Sequence, residues 1–249
     1  DLEIDLLRSS PAEIPGLPRF WGGWVGFFGY DMVRRVEHLP GGPPADLDLP
    51  DALFMRTGAV VAIDNLFGRA HVIVPVETRG ADDSELRRLY DEALEEIAEV
   101  ERRLHQGADP RPLRLASAAI ADPPFESSST REEFEEGVRR IQEYIRAGDT
   151  FQVVLSQRLR MPLAADPFGL YRVLRSLNPS PYLYYLDLDG FQLVGTSPEV
   201  LVRLDEKRVI VRPIAGTRPR GSSPEEDEEV SQDLLADPKE VAEHLMLLD

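Results

Sequence analysis

In the run DPKEVAEHLMLLD, Glu240, Glu243 and His244 lie three and four residues apart. On a helix that spacing stacks them on one face with Leu247, while Val241, Leu245 and Leu248 form another. Two carboxylates and an imidazole so placed can bind a metal or a polar substrate, although a solvent-facing polar stripe is the commoner arrangement. The Glu-x-x-His spacing also occurs in di-iron bundles, where it is repeated; one copy in a strand-rich chain is a poor match. A second group is RPIAGTRPRG, residues 212–221, in which Arg212, Arg218 and Arg220 flank two glycines and Thr217. Backbone N–H groups of such a turn can approach a carboxylate or phosphate closely, and arginine adds charge and forked donors. A solvated hairpin end would look the same.

Three further segments carry polar groups among apolar neighbours. GTSPEVL puts Glu199 on a turn after a strand, with Ser197 able to cap it. FQVVLSQ reads as a strand with Gln152 and Val154 on one face and Phe151, Val153 and Leu155 on the other; a buried glutamine there needs partners. NPSPYLYYL has two prolines fixing the backbone ahead of an aromatic strand, which also fits a rigid turn feeding a core.

These groups need elements to hold them. Asp237 is placed to cap the last helix, with Pro238 in its first turn. The acidic run Glu225–Glu229 suits the start of the helix before it. Thr130 and Glu133 predict a capping box, followed by a helix with Phe134, Val138, Ile141 and Ile145 in one stripe and Gly148 at its end. TFQVVLSQRLRMPL is a predicted strand, DPFGLYRVLRSLNPS a helix stopping before Pro179, and 182–188, 191–195, 200–204 and 208–214 predicted strands. Upstream, FWGGWVGFFGY reads as a buried strand with close backbone approach, DMVRRVEHL as a short helix, 53–64 and 69–76 as a hairpin about NLFG, and 82–106 as a long cover helix. Residues 107–128, rich in Pro, Ala and Ser, are the best boundary, and LRLASAAI within them can pair as a strand. The pattern is antiparallel α+β.

Composition narrows the classes. The 249 residues suffice for one large domain or two small ones. A net charge of -17 disfavours general nucleic-acid binding, which needs a basic face. No run of 18 apolar residues suggests a transmembrane helix and no leader pattern is visible. Cysteine is absent, which removes disulfides and thiolate chemistry and fits a reducing, cytoplasmic setting. Lysine occurs only at Lys207 and Lys239, so few lysine bases or Schiff bases are available. The chain starts at Asp1 and stops within an apolar run, so a fragment is expected.

GDTFQVVLSQR, NPSPYLYYL, GTSPEVLVR, RPIAGTRPRG and DPKEVAEHLMLLD, in that order, resemble the chorismate-utilising enzymes, nearest the anthranilate synthase component I branch. FWGGWVGFFGYDMVRRVEHLP resembles that branch's N-terminal region. The resemblance covers nearly the whole chain. It implies an α+β fold of antiparallel sheets packed face to face with helices outside, here incomplete. Residues 1–106 would be the N-terminal region, 107–128 a connection, and 129–249 the first part of the chorismate-binding region. Relatives begin earlier, with a motif holding the feedback inhibitor, and continue beyond the MLLD run.

The resemblance also implies roles. Gly216 and Thr217 contact chorismate, a dicarboxylate, with the flanking arginines setting potential and holding the loop. Glu243 is one Mg²⁺ ligand, Glu240 the candidate for protonating a departing hydroxyl, Glu199 a contact on the ring hydroxyl side, and His244 an orienting group. Pro181, Tyr182 and Leu183 line a site for L-tryptophan as inhibitor, with Leu183 standing where many relatives have methionine. Relatives that add water carry a lysine at the position of Gln152, because water needs a base. Relatives that make aminodeoxychorismate carry a lysine nucleophile where Ala215 stands. Ammonia needs neither, which points to the anthranilate branch, with ammonia supplied by a glutamine amidotransferase subunit in a hetero-oligomer. The alternatives are an aminodeoxychorismate synthase without its lysine, and a non-catalytic binding module; the fragment alone is expected to be inactive.

Overall fold

The computed structural model describes residues 14–42, 47–107 and 124–248. The chain divides into two compact units, Asp1–Arg111 and Pro112–Asp249.

The first unit contains β1 (Trp24–Phe28), a 3₁₀ turn (Tyr30–Arg35), β2 (Ala52–Arg56), β3 (Val60–Asp64), β4 (Arg69–Ile73) and α1 (Asp83–Gln106). β1 pairs antiparallel with β2, and β3 with β4 through the NLFG turn. In that turn the Asp64 carboxylate accepts from the Leu66 and Phe67 N–H groups at 2.9 and 3.1 Å, an aspartate closing its own reversal. The continuous strand expected over 53–64 is broken at Thr57–Ala59, where Thr57 leaves the ladder to exchange hydrogen bonds with Gly23. β1 is half-buried rather than buried: its ladder is two-stranded, so one face stays open, and Phe28 is exposed. The expected close approach is present, since a Cβ on Gly26 would collide with the Leu53–Phe54 backbone. Asp82 caps α1 through the Ser84 and Glu85 N–H groups.

The second unit contains β5 (Glu126–Ser127), α2 (Arg131–Ala147), β6 (Leu159–Arg160), α3 (Pro167–Leu177), β7 (Tyr182–Leu188), β8 (Phe191–Ser197), β9 (Arg203–Asp205), β10 (Arg208–Ile210), α4 (Pro224–Ala236) and α5 (Pro238–Leu248). The Thr130–Glu133 capping box is formed in both directions, and Gly148 closes α2 in the left-handed conformation at φ 85°. β7 and β8 form the longest ladder in this unit, with Tyr182 opposite Ser197 and Tyr184 opposite Gly195. The Tyr184 phenol lies over Gly195 so closely that a Cβ there would fall inside it. α3 packs against this ladder through Phe168, Tyr171 and Tyr185, whose ring centroids are 5.3–6.0 Å apart. Among the described residues only Leu188, in β7, is buried.

The expected mixture of helices and antiparallel strands is present, every ladder among the described residues being two-stranded. Several expected strands differ in extent, with 200–204 realised as Arg203–Asp205, 208–214 as Arg208–Ile210 and 69–76 as Arg69–Ile73, and one is largely lost. Of TFQVVLSQRLRMPL only Leu159–Arg160 forms a strand, against Glu126–Ser127. Residues 151–157 are exposed and outside any ladder, so Gln152 is exposed rather than buried. Alternating apolar residues favour extended backbone, but a strand exists only where a neighbour accepts its hydrogen bonds. LRLASAAI and most of the 107–128 connection lie outside the described residues.

Candidate active site

β8 ends at Ser197, and the chain turns there under side-chain control. The Ser197 hydroxyl donates to the Glu199 carbonyl at 2.8 Å and accepts from the Glu199 N–H at 3.3 Å. This fixes Glu199 immediately after the strand, and its carboxylate accepts from the Ile214 N–H at 3.0 Å. The capping expected of Ser197 is therefore present, and Glu199 extends it to the RPIAGTRPRG loop. The same strand end is tied to the Asn178–Pro181 turn: the Ser180 hydroxyl donates to the Ser197 carbonyl and the Thr196 hydroxyl to the Asn178 carbonyl.

The loop after Ile214 turns at Gly216, φ 75°, a conformation that side chains with a Cβ adopt at a cost. Space is tight as well: a Cβ would stand 3.0 Å from both Glu240 Oε2 and Leu234 Cδ1. The turn thus lies directly on α4 and α5. Arg218 pins it. Its Nε donates to Asp233 at 3.2 Å, Nη2 to Asp237 at 2.7 Å, and Nη1 to Glu240 at 3.3 Å and to the Thr217 carbonyl at 3.2 Å. Asp233 foremost, then Glu240 and Asp237, raise the Arg218 pKa above its ordinary value. Arg220 and the Gly221 N–H both reach Asp227, at 2.5 and 2.9 Å, closing the far end of the loop on the first turns of α4.

α5 starts as its sequence directs. Asp237 accepts from the Lys239 and Glu240 N–H groups at 2.9 and 3.4 Å, ahead of Pro238 in the first turn. The Lys239 N–H is the largest cause holding the Asp237 carboxyl below the usual range, with the Glu240 N–H and Arg218 acting the same way against partial desolvation. The helix has an unusual sidedness. Glu240, Glu243 and His244 are half-buried, whereas Val241, Leu245 and Leu248 are exposed. The polar residues of this face are the more covered ones, while Leu247 beside them is exposed.

Of the residues singled out from sequence, Glu199, Gly216, Thr217 and Glu240 are joined by this loop. Glu243 and His244 follow on α5. Gln152 sits in the exposed 151–157 segment, where the Thr150 hydroxyl donates to its carbonyl at 3.1 Å. Tyr182 and Leu183 open β7, with Pro181 in the turn just before it, beside the Ser180–Ser197 bond. Among the described residues no group of three or more His, Asp or Glu is placed to hold a metal ion. Glu243 offers one carboxylate, against the six oxygen positions of Mg²⁺, so these residues do not form a Mg²⁺ site by themselves. Sequence reading did not find Asp227, Asp233 and Asp237 as partners of the loop. The available signal was numerical: two arginines after a glycine turn, followed by acidic residues on the next two helices.

Residues 3–249 match the model of the chorismate binding enzyme family. The chain is 49% identical to anthranilate synthase component 1 of Pseudomonas putida over 97% of its length, and 51% identical to that of Pseudomonas aeruginosa over 97%. It spans 48% and 49% of those two proteins, about half their length. A crystal structure of anthranilate synthase component I from Streptococcus pneumoniae superimposes with a TM-score of 0.82 at 32% identity, covering all of this chain and 53% of that one. With the family's model matching nearly end to end and the fold shared with a solved relative, the chain belongs to the chorismate binding enzyme family.

Proposed function

We propose that the complete protein is the large subunit of an anthranilate synthase, converting chorismate and ammonia to anthranilate, pyruvate and water. The observation that carries this reading is the loop through Gly216, held between Glu199 on one side and Glu240 on the other. It is a small-residue turn, suited to approach a dicarboxylate, set beside two carboxylates suited to move protons. Gly216 and Thr217 bind chorismate. Glu199 faces the ring hydroxyl. Glu240, in its protonated form, gives its Oε2–H proton to that hydroxyl as it leaves, while Oε1 accepts from Arg218. Ammonia attacks the ring without help from a base, consistent with the neutral Gln152 and the inert Ala215. Loss of a ring proton with pyruvate then gives the aromatic product.

His244 orients a neighbouring carboxylate. Mg²⁺ when bound would neutralise a substrate carboxylate, and Glu243 contributes one ligand at most; no step is assigned to the ion. A glutamine amidotransferase subunit supplies ammonia in the cytoplasm, and tryptophan bound at Pro181, Tyr182 and Leu183 inhibits. Pro181→Ser then abolishes inhibition while leaving turnover, as an inhibition curve would record.

Incubating the complete protein with chorismate and ammonia tests the reaction. Fluorescent anthranilate without a separate lyase supports it. Aminodeoxychorismate as the end product assigns the chain to the other amination branch, and chorismate binding without turnover makes it a binding module.

A further inference from the structure

We infer that Arg218 is a positioning residue, which holds the Glu240 carboxylate against the Gly216 turn and so fixes where the proton donor stands relative to bound substrate. The inference rests on the proposed role of Glu240, and goes beyond it by assigning a function to a side chain that need not touch substrate.

Arg218 is 25% exposed and Glu240 19%, so neither is an ordinary surface charge. Each nitrogen of the guanidinium has a partner: Nε on Asp233, Nη2 on Asp237, and Nη1 on both Glu240 and the Thr217 carbonyl. These partners belong to α4, the residue between the helices, α5, and the loop itself. A planar fork bonded in three directions cannot rotate, so its Nη1 is a fixed point. Glu240 Oε1 bonds to that point, and Oε2 lies beside Gly216. Arg218 is not the loop's sole fastening. Glu199 holds Ile214 upstream and Asp227 holds Arg220 and Gly221 downstream. Removing Arg218 therefore frees the Glu240 carboxylate more than it frees the turn. Binding should largely survive and the chemical step should not, because a shift of about 1 Å at a reacting group costs on the order of 10²-fold.

Lysine discriminates charge from geometry. It keeps one positive charge but has one nitrogen, and cannot hold carboxylates on two helices in a fixed plane. In the complete protein, Arg218→Lys is expected to lower kcat by about 10- to 10²-fold while KM for chorismate changes by less than about 3-fold. In the cycle of Arg218→Lys and Glu240→Gln, the double variant is expected to be no slower than Glu240→Gln alone, because the arginine acts through that carboxylate. Multiplying effects, or a kcat per folded site within about 3-fold of wild type in Arg218→Lys, would overturn the inference. Should Arg218→Lys not fold, Asp237→Asn loosens the same guanidinium from its shortest partner and enters the same cycle. Chorismate loss and product identity are followed together by chromatography. A product other than anthranilate from the wild type overturns the proposed reaction, while the ratios of chorismate consumption still decide the role of Arg218. No consumption by the wild type overturns both.

Discussion

Two irregular segments of the second unit, 150–157 and 212–221, each carry a residue proposed to separate branches of chorismate chemistry: Gln152 in one and Ala215 in the other. Neither segment forms a strand, yet they are held very differently. The 212–221 loop is fastened by Glu199, Asp227 and the three partners of Arg218. The 150–157 segment has Phe151 77% and Val154 85% exposed, and Gln157 bonded to the Ser127 hydroxyl at 2.7 Å. The difference lies in where the anchors are written. A polar loop leading into charged helices finds carboxylates close in sequence, whereas an apolar extended segment depends on the edge of another strand. Regular secondary structure is therefore a poor measure of how firmly a functional residue is placed.

The largest expected effect breaks the better-held side. Gly216→Val introduces a branched side chain at φ 75° and against both Glu240 and Leu234. Turnover should fall by at least about 10²-fold, and initial-rate kinetics on the folded variant checks it. Activity near wild type would mean that the turn does not bear on catalysis.

Next is Gln152→Lys, which probes the less-held side. A base there should allow some water to add, giving isochorismate as a minor product by chromatography. Absence of any trace would remove the discriminating role assigned to position 152.

Acid titration compares anchors with the rest of the chain. The Gly221 N–H foremost, with Arg220, holds the Asp227 carboxyl below its usual range, and Asp237 is lowered as well. Depressed carboxyls contribute stability above their unfolded pKa of about 4 and lose it as pH falls through the lower folded values. Asp227→Asn should therefore flatten the stability profile below about pH 4, measured by circular dichroism, and leave its shape near neutrality unchanged.

The smallest effect is expected on α1, where Arg102 and Arg103 pair with Glu99 at 2.5 and 2.7 Å, largely in solvent. Glu99→Ala should move the melting midpoint by no more than about 2 °C. A larger shift would show that surface pairs matter here as much as the Arg218 group.

The sequence was readable where structure is local. Thr130 and Glu133, Asp237 with Pro238, and Gly148 each act within a few residues, and each forms the cap its position predicts. The ladder of β7 and β8 follows from an aromatic run, a two-residue turn at Asp189–Gly190 and another apolar run. The strand expected over 151–157 was not readable, because pairing is decided by a neighbour distant in sequence. At the site, the residue types and the helix face were legible from spacing alone. That the polar face of α5 is the more covered one was not, since spacing defines faces and says nothing of which one meets the Gly216 turn. Arg218 was legible as a loop arginine, but its three carboxylate partners depend on how α4 meets α5.

The phenol of Tyr184 resting on Gly195 has a genetic consequence. The two positions are coupled: a side chain at 195 requires the Tyr184 ring to swing aside or give way to a smaller residue. A Gly195→Ala lesion should accordingly be repaired by second-site suppressors, and those suppressors should concentrate at codon 184.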